Sequence, residues 1–205
     1  MSTSAWRCAG RLAVRRTLAK PLLALLAAAT LLAGCATPSP GPVGGTAPTA
    51  PPAGPSAPSL GLFSKIKVPD GQAPVLKLAA RGVQVFRCEA RGNELQWLFR
   101  VPEADLLDDA GKVVGRHGAN FSFEHTDGSR LLGKVVSYDE APSRSDLRWL
   151  LLSTTAFGKG ALDGVTYVQR VNTRGGMPPA SCEAKQRNQL LRVDFSSDFI
   201  FYRPG

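Results

Sequence analysis

From about residue 62 onward, apolar and polar residues alternate along most of the chain. In "ELQWLFR" (94–100) Leu95, Trp97 and Phe99 fall on one face, and "GVQVFRCEA" (82–90) alternates in the same way. This period of two predicts half-buried strands. The unbroken apolar run at 149–152 instead predicts a strand buried on both faces. The other predicted strands are 75–80, 121–125, 130–137, 148–154, 165–171 and 190–202.

Short turn signals separate these strands, for example Arg91-Gly92-Asn93 and Asp127-Gly128-Ser129. No segment has a helical stripe, and "PEADLL" (102–107) is expected to form one turn of helix at most. The pattern predicts an all-β fold, a single mostly antiparallel β-sandwich or barrel domain over 62–205. Periodicity does not choose between sandwich and barrel.

The first 34 residues have the composition of an export signal. Five basic residues and no acidic residue precede an apolar stretch at 22–33, as in secretory signal peptides. This stretch is too short to cross a bilayer as a helix. The pair Arg15-Arg16 also resembles a twin-arginine signal, so the export route stays open. We predict a signal peptide over 1–34.

Leu32-Ala33-Gly34-Cys35 resembles the lipobox of bacterial lipoproteins, whose cysteine is acylated with chains such as palmitate. Cys35 would then become the first residue and anchor the protein in a membrane. Since Ala36 follows, and not aspartate, the resemblance favours the outer membrane, facing the periplasm. Residues 36–61 contain eight prolines, five glycines and no charged residue, and predict a disordered linker.

The net charge of +9 falls to +4 once the leader's five basic residues are removed. The remaining charges are mixed in sign along the chain, so nucleic acid is not expected as a partner. Two of the four cysteines would not be free to form a disulfide, because Cys8 would be removed with the leader and Cys35 would be lipidated. Cys88 and Cys182 remain, and in an oxidising periplasm they are expected to form a disulfide.

Four stretches together resemble a family of secreted bacterial and fungal proteins catalogued as domain of unknown function 3455. They are "GVQVFRC" (82–88), "PEADLLDDAGKVVGRHGANFSFEHTDGS" (102–129), "VTYVQRVNTRGGMPPASC" (165–182) and "SSDFIFY" (196–202). One departure is Phe123, where the family often has tryptophan. The resemblance spans 68–202 and implies a secreted all-β domain with its two cysteines paired. It implies no established activity.

Two groups of residues are candidates for chemistry. His117, His125 and Asp127 could form a metal or acid–base site, although Glu124 and His125 would point to opposite faces of a strand. Arg170, Asn172 and Arg174 precede a glycine turn and could bind an acidic ligand. No Gly-x-Gly-x-x-Gly or Gly-x-Ser-x-Gly motif occurs, and we predict no cofactor.

These observations favour a lipid-anchored envelope protein whose β domain binds a ligand or an envelope partner. A periplasmic, metal-dependent enzyme using His117, His125 and Asp127 is the alternative. A purely structural envelope protein is a further one.

Overall fold

The computed structural model describes residues 54–205, which form eight β-strands and two single 3-10 turns. The 3-10 turns are Ala119–Phe121 and Ala184–Gln186. The strands are β1 Gln72–Arg91, β2 Glu94–Leu107, β3 Val113–Gly118, β4 Ser122–His125, β5 Arg130–Asp139, β6 Trp149–Phe157, β7 Tyr167–Gly175 and β8 Leu190–Pro204.

Each strand pairs antiparallel with the next one along the chain, and β1 also pairs with β8. The sheet therefore closes into a barrel. The predicted all-β antiparallel fold is confirmed, and of the two architectures left open the structure has the barrel. Closure satisfies the edges that an open sheet would leave unpaired.

Two apolar clusters hold the barrel together. The larger one fills the interior and includes Leu78, Phe123 and Phe199. The smaller one lies outside β6, β7 and β8, where Ile66 is completely buried. Gln169 Nε2 donates a hydrogen bond of 2.6 Å to the Ile66 carbonyl. The segment before β1 thus covers one side of the barrel.

The apolar run at 149–152 is buried on both faces, as its pattern predicts. Leu150 and Leu152 belong to the interior cluster, while Leu151 packs outside with Ile66. Leu60, inside the stretch predicted as linker, also packs partly buried against the outer cluster. Contacts with the barrel therefore begin before residue 62.

No strand was predicted at 102–107, where one turn of helix at most was expected, but this stretch forms the second half of β2. Ala104 and Leu106 are buried between exposed Glu103 and Asp105, so the alternation of a strand is present. Pro102 and the helix-favouring alanine, leucine and acidic residues concealed it. Pairing with β1 and β3 outweighs this local preference.

Two strand boundaries also differ from the predictions. The segments 75–80 and 82–90 form one long strand, β1, since Gly82 lets β1 pass close to β2. A Cβ at Gly82 would overlap the backbone carbonyl of Glu103. β3 was not predicted, and Phe121 belongs to the preceding turn with a φ of 50°, so β4 begins at Ser122.

The predicted disulfide joins Cys88 on β1 to Cys182 in the loop after β7, with Cα atoms 6.0 Å apart. No helix within residues 54–205 is long and apolar enough to cross a membrane. The predicted signal peptide, Cys35 and the linker up to residue 53 lie outside the described residues.

Candidate functional site

A cavity of about 440 Å³ opens at one end of the barrel. This volume lies within the range of about 300–1,000 Å³ typical of small-molecule sites. β1, β2, the 3-10 turn before β4 and the loop after β7 supply its walls. We call this cavity the mouth pocket, and its walls include Phe86, Trp97, Phe99, Phe121, Met177 and Pro178.

Arg170 lines the mouth pocket from β7, although only 7% of its surface is exposed. Its Nε and Nη2 donate hydrogen bonds of 3.2 and 2.9 Å to the Arg148 carbonyl. Within residues 54–205, no carboxylate forms an ion pair with Arg170. Burial lowers the pKa of Arg170 to about 10, so its guanidinium stays charged at neutral pH. A buried cation thus lies beside an apolar cavity and has no anionic partner in the described part of the chain.

Three further polar side chains line the mouth pocket, and one of them is Gln96, half-buried on β2. Gln84 is buried on β1, and Arg91 lies exposed near the end of the same strand. Arginine supplies both charges of the lining, which includes no aspartate or glutamate among the described residues. The pocket therefore offers a positive environment together with hydrogen-bond donors.

An outer groove of about 530 Å³ runs across β8 and β1 to β4 and is balanced in charge. Three arginines alternate there with three carboxylates across neighbouring strands. Arg192 pairs with Glu103, and Arg116 lies 3.8 Å from Asp105. Such cross-strand pairs stabilise the sheet and neutralise one another. The groove thus lacks the uncompensated charge of the mouth pocket.

His117 lies inside the barrel, stacked on Phe123 with ring centroids 4.6 Å apart. Its Nδ1 is 2.9 Å from the Ser122 carbonyl, to which it donates. Its Nε2 is buried and has no hydrogen-bond partner among the residues that the structure describes. Desolvation by burial lowers the pKa of His117 to about 4. The ring is therefore neutral at pH 7.

His125 and Asp127 contact each other, with Nδ1 and Oδ2 3.0 Å apart. Asp127 Oδ1 accepts hydrogen bonds from the Ser129 hydroxyl and amide, and Oδ2 accepts one from the Ala161 amide. These bonds connect the β4–β5 turn to the β6–β7 loop, where Gly160 leaves room for the carboxylate. Both carboxylate oxygens thus have a structural use.

No group of three or more His, Cys, Asp or Glu side chains in the described part of the chain is arranged to hold a metal ion. His117 makes its bond within the barrel interior, and His125 and Asp127 make theirs at the β4–β5 turn. The metal or acid–base site predicted from these three residues gains no support from their contacts.

We expect Asp127→Asn to lower the melting temperature by several degrees, because the amide nitrogen that replaces Oδ2 cannot accept the hydrogen bond from the Ala161 amide. Hydrogen bonds hold the pKa of Asp127 well below its usual range; the bond from the Ser129 hydroxyl has the largest effect, and those from the Ala161 and Ser129 amides add to it. The charged form stabilises the fold above the ordinary carboxyl pKa, and this contribution is lost as the pH falls below it. Thermal unfolding between pH 3 and 7 measures both effects. The exposed Asp109→Asn is the control, and equal melting temperatures for the two variants would contradict the structural role.

Comparison with known families matches residues 69–203 to the family described as Protein of unknown function (DUF3455). The chain belongs to this family. Comparisons with curated proteins and with solved structures found no match. The DUF3455 match covers all eight strands apart from the last residue of β8 and includes both disulfide cysteines.

In this DUF3455 domain, the three predicted ligand-binding residues do not lie together. A bulge places one extra residue on β7 between Val171 and Arg174, opposite β8. Arg170 therefore points into the mouth pocket, while Arg174 is exposed. Asn172 has a φ of 53° and donates a 2.9 Å hydrogen bond to Asp198. Only Arg170 remains in the candidate site.

The apolar walls of the mouth pocket were not predicted. Trp97 and Phe99 were assigned to an ordinary strand face, and Met177 and Pro178 lie in a loop without periodicity. The disulfide brings that loop to the barrel, where the Cys182 amide donates a 3.2 Å hydrogen bond to the Leu95 carbonyl. The remaining sequence signal was "GGMPP" before Cys182, an apolar group in a turn.

Proposed function

We propose that the chain is a lipid-anchored envelope protein whose barrel domain binds a small ligand in the mouth pocket. The observation that carries this proposal is Arg170, a buried cation that lies beside an apolar cavity and has no carboxylate partner among residues 54–205. Apolar walls with a few convergent polar groups are typical of small-molecule sites. Barrels of eight strands either fill their interior with side chains or hold one small ligand.

The position of the linker suits this function. Gly54, the first described residue, lies near Pro74, at the start of β1. The pocket residues of β1 are Gln84, Phe86 and Arg91, which lie toward its other end. A linker from lipidated Cys35 would thus join the barrel away from the pocket, leaving the opening free.

Binding of the neutral dye N-phenyl-1-naphthylamine tests the pocket. Its fluorescence should rise saturably with the full chain, because the apolar walls exclude water from the bound dye. The double variant Phe99→Ala/Met177→Ala removes two exposed wall side chains and should weaken dye binding at least tenfold. Val136→Ala, at an exposed apolar position outside the pocket, is the matched control. Absence of saturable binding, or equal binding by all three proteins, would contradict the proposal.

The membrane anchor is tested by Cys35→Ser. Without the thiol no acyl chain can be attached, so the variant should leave the membrane fraction and appear in the soluble periplasmic fraction. Fractionation followed by mass spectrometry of the N-terminal peptide measures both location and acylation. A serine variant that stays in the membrane fraction after a high-salt wash would refute the lipid anchor.

A further inference from the structure

The charge balance of the mouth pocket specifies the chemical class of its ligand, an inference that rests on the proposed function. The Arg170 guanidinium is removed from water but donates only to the Arg148 carbonyl among the described residues. A buried charge without a counter-charge is costly, and it is normally compensated by an ionic partner. No acidic side chain of the lining supplies that partner in the described part of the chain.

The guanidinium has donor capacity left for such a partner. Its bonds to Arg148 use Nε and Nη2, whereas Nη1 makes no hydrogen bond to any residue from 54 to 205. The planar fork of arginine fits a carboxylate, which can accept from two of its nitrogens at once. Gln84, buried in the same lining, adds an amide donor.

The walls determine the rest of the ligand. The side chains around the opening are aromatic rings, methionine and proline, which favour an apolar body. One buried cation balances one negative charge, whereas a phosphate monoester carries about −1.5 to −2 at neutral pH. We infer that the mouth pocket binds an amphipathic monocarboxylate, with its carboxylate at Arg170 and its alkyl or aryl body against Phe86, Trp97 and Met177.

Competition against the bound dye tests this inference with octanoate and octanamide, which differ in charge but hardly in size. In the full chain, octanoate should displace N-phenyl-1-naphthylamine at a concentration at least tenfold lower than octanamide. Arg170→Met removes the charge but keeps an apolar side chain, and it should abolish the difference between the two competitors. Arg174→Gln is the matched control and should leave the difference unchanged, because Arg174 lies exposed on the same strand but outside the mouth pocket.

A second variant covers the case in which Arg170→Met fails to fold. Met177 is 44% exposed on the pocket wall, so Met177→Glu introduces a carboxylate without disturbing the core. This carboxylate should compete for Arg170 and weaken octanoate binding at least tenfold, with little change for octanamide. Met177→Gln controls for the change in shape.

The outcomes separate the two proposals. If the dye binds but octanoate and octanamide compete equally, the monocarboxylate inference fails and a neutral-ligand pocket remains. If Met177→Glu and Met177→Gln bind octanoate equally, the assigned position of the carboxylate is also refuted. If the dye does not bind the folded wild-type chain, the proposed pocket itself fails.

Discussion

Replacing Cys88 with serine should lower the free energy of unfolding by about 2–5 kcal/mol. The disulfide connects residues 94 positions apart, so its loss frees a long loop in the unfolded chain. It also releases the loop that carries Met177 and Pro178, and we expect weaker dye binding in the mouth pocket. Denaturant unfolding of the full chain, followed by tryptophan fluorescence, measures the stability.

Cys182→Ser and the double variant are the controls for this prediction. All three proteins lose the same bond, so their losses of stability should agree and should not add. Reduction of the wild-type chain should produce a similar loss. Free thiols at both positions in protein purified without a reducing agent would contradict the disulfide.

Lowering the pH from 6.5 to 4 should reduce the free energy of unfolding by about 3 kcal/mol through His117 alone. Burial lowers the pKa of His117 to about 4 in the folded protein, against an ordinary value of 6.5. The unfolded chain thus binds a proton in this pH range and the folded chain does not. The free energy of unfolding therefore rises with pH between 4 and 6.5, and the contribution of neutral His117 is complete above that range.

His117→Gln removes the titrating ring and should flatten the stability profile in this pH range. His125→Gln is the matched control, since it also removes a histidine but leaves the buried one in place. Carboxylates also titrate at the lower end of this range, but the wild type and the variants share that contribution, so the difference between their profiles reports His117. Equal slopes for the wild type and His117→Gln would refute a neutral, buried His117.

The alternation of apolar and polar residues was enough to predict the strands with clear patterns. The apolar run at 149–152 also predicted burial on both faces, and Leu151 is indeed buried on the outer face, in the same cluster as Ile66. Prediction failed at 102–107, where helix-favouring residues masked a strand, and at β3, which is short and glycine-containing. In both places pairing with neighbouring strands decides the conformation.

The candidate site was less accessible from the sequence. Arg170 was a candidate ligand-binding residue, but it was expected to act together with Asn172 and Arg174 beside the glycine turn. Alternation places residues 170, 172 and 174 on one face, and the bulge after Val171 breaks this relation. The candidate site of His117, His125 and Asp127 likewise does not form one site. His117 is buried in the barrel, whereas the Asp127 carboxylate stabilises the β4–β5 turn.

The sequence by itself determined the all-β class, most of the strands, the membership of the DUF3455 family and the pairing of Cys88 with Cys182. These features depend on local periodicity, on shared motifs and on the presence of only two cysteines in the predicted β domain 62–205. Closure into a barrel, the mouth pocket and the burial of Arg170 were decided by the tertiary structure. They depend on strand register, on one bulge and on a loop held by the disulfide, which bring together residues distant in the chain.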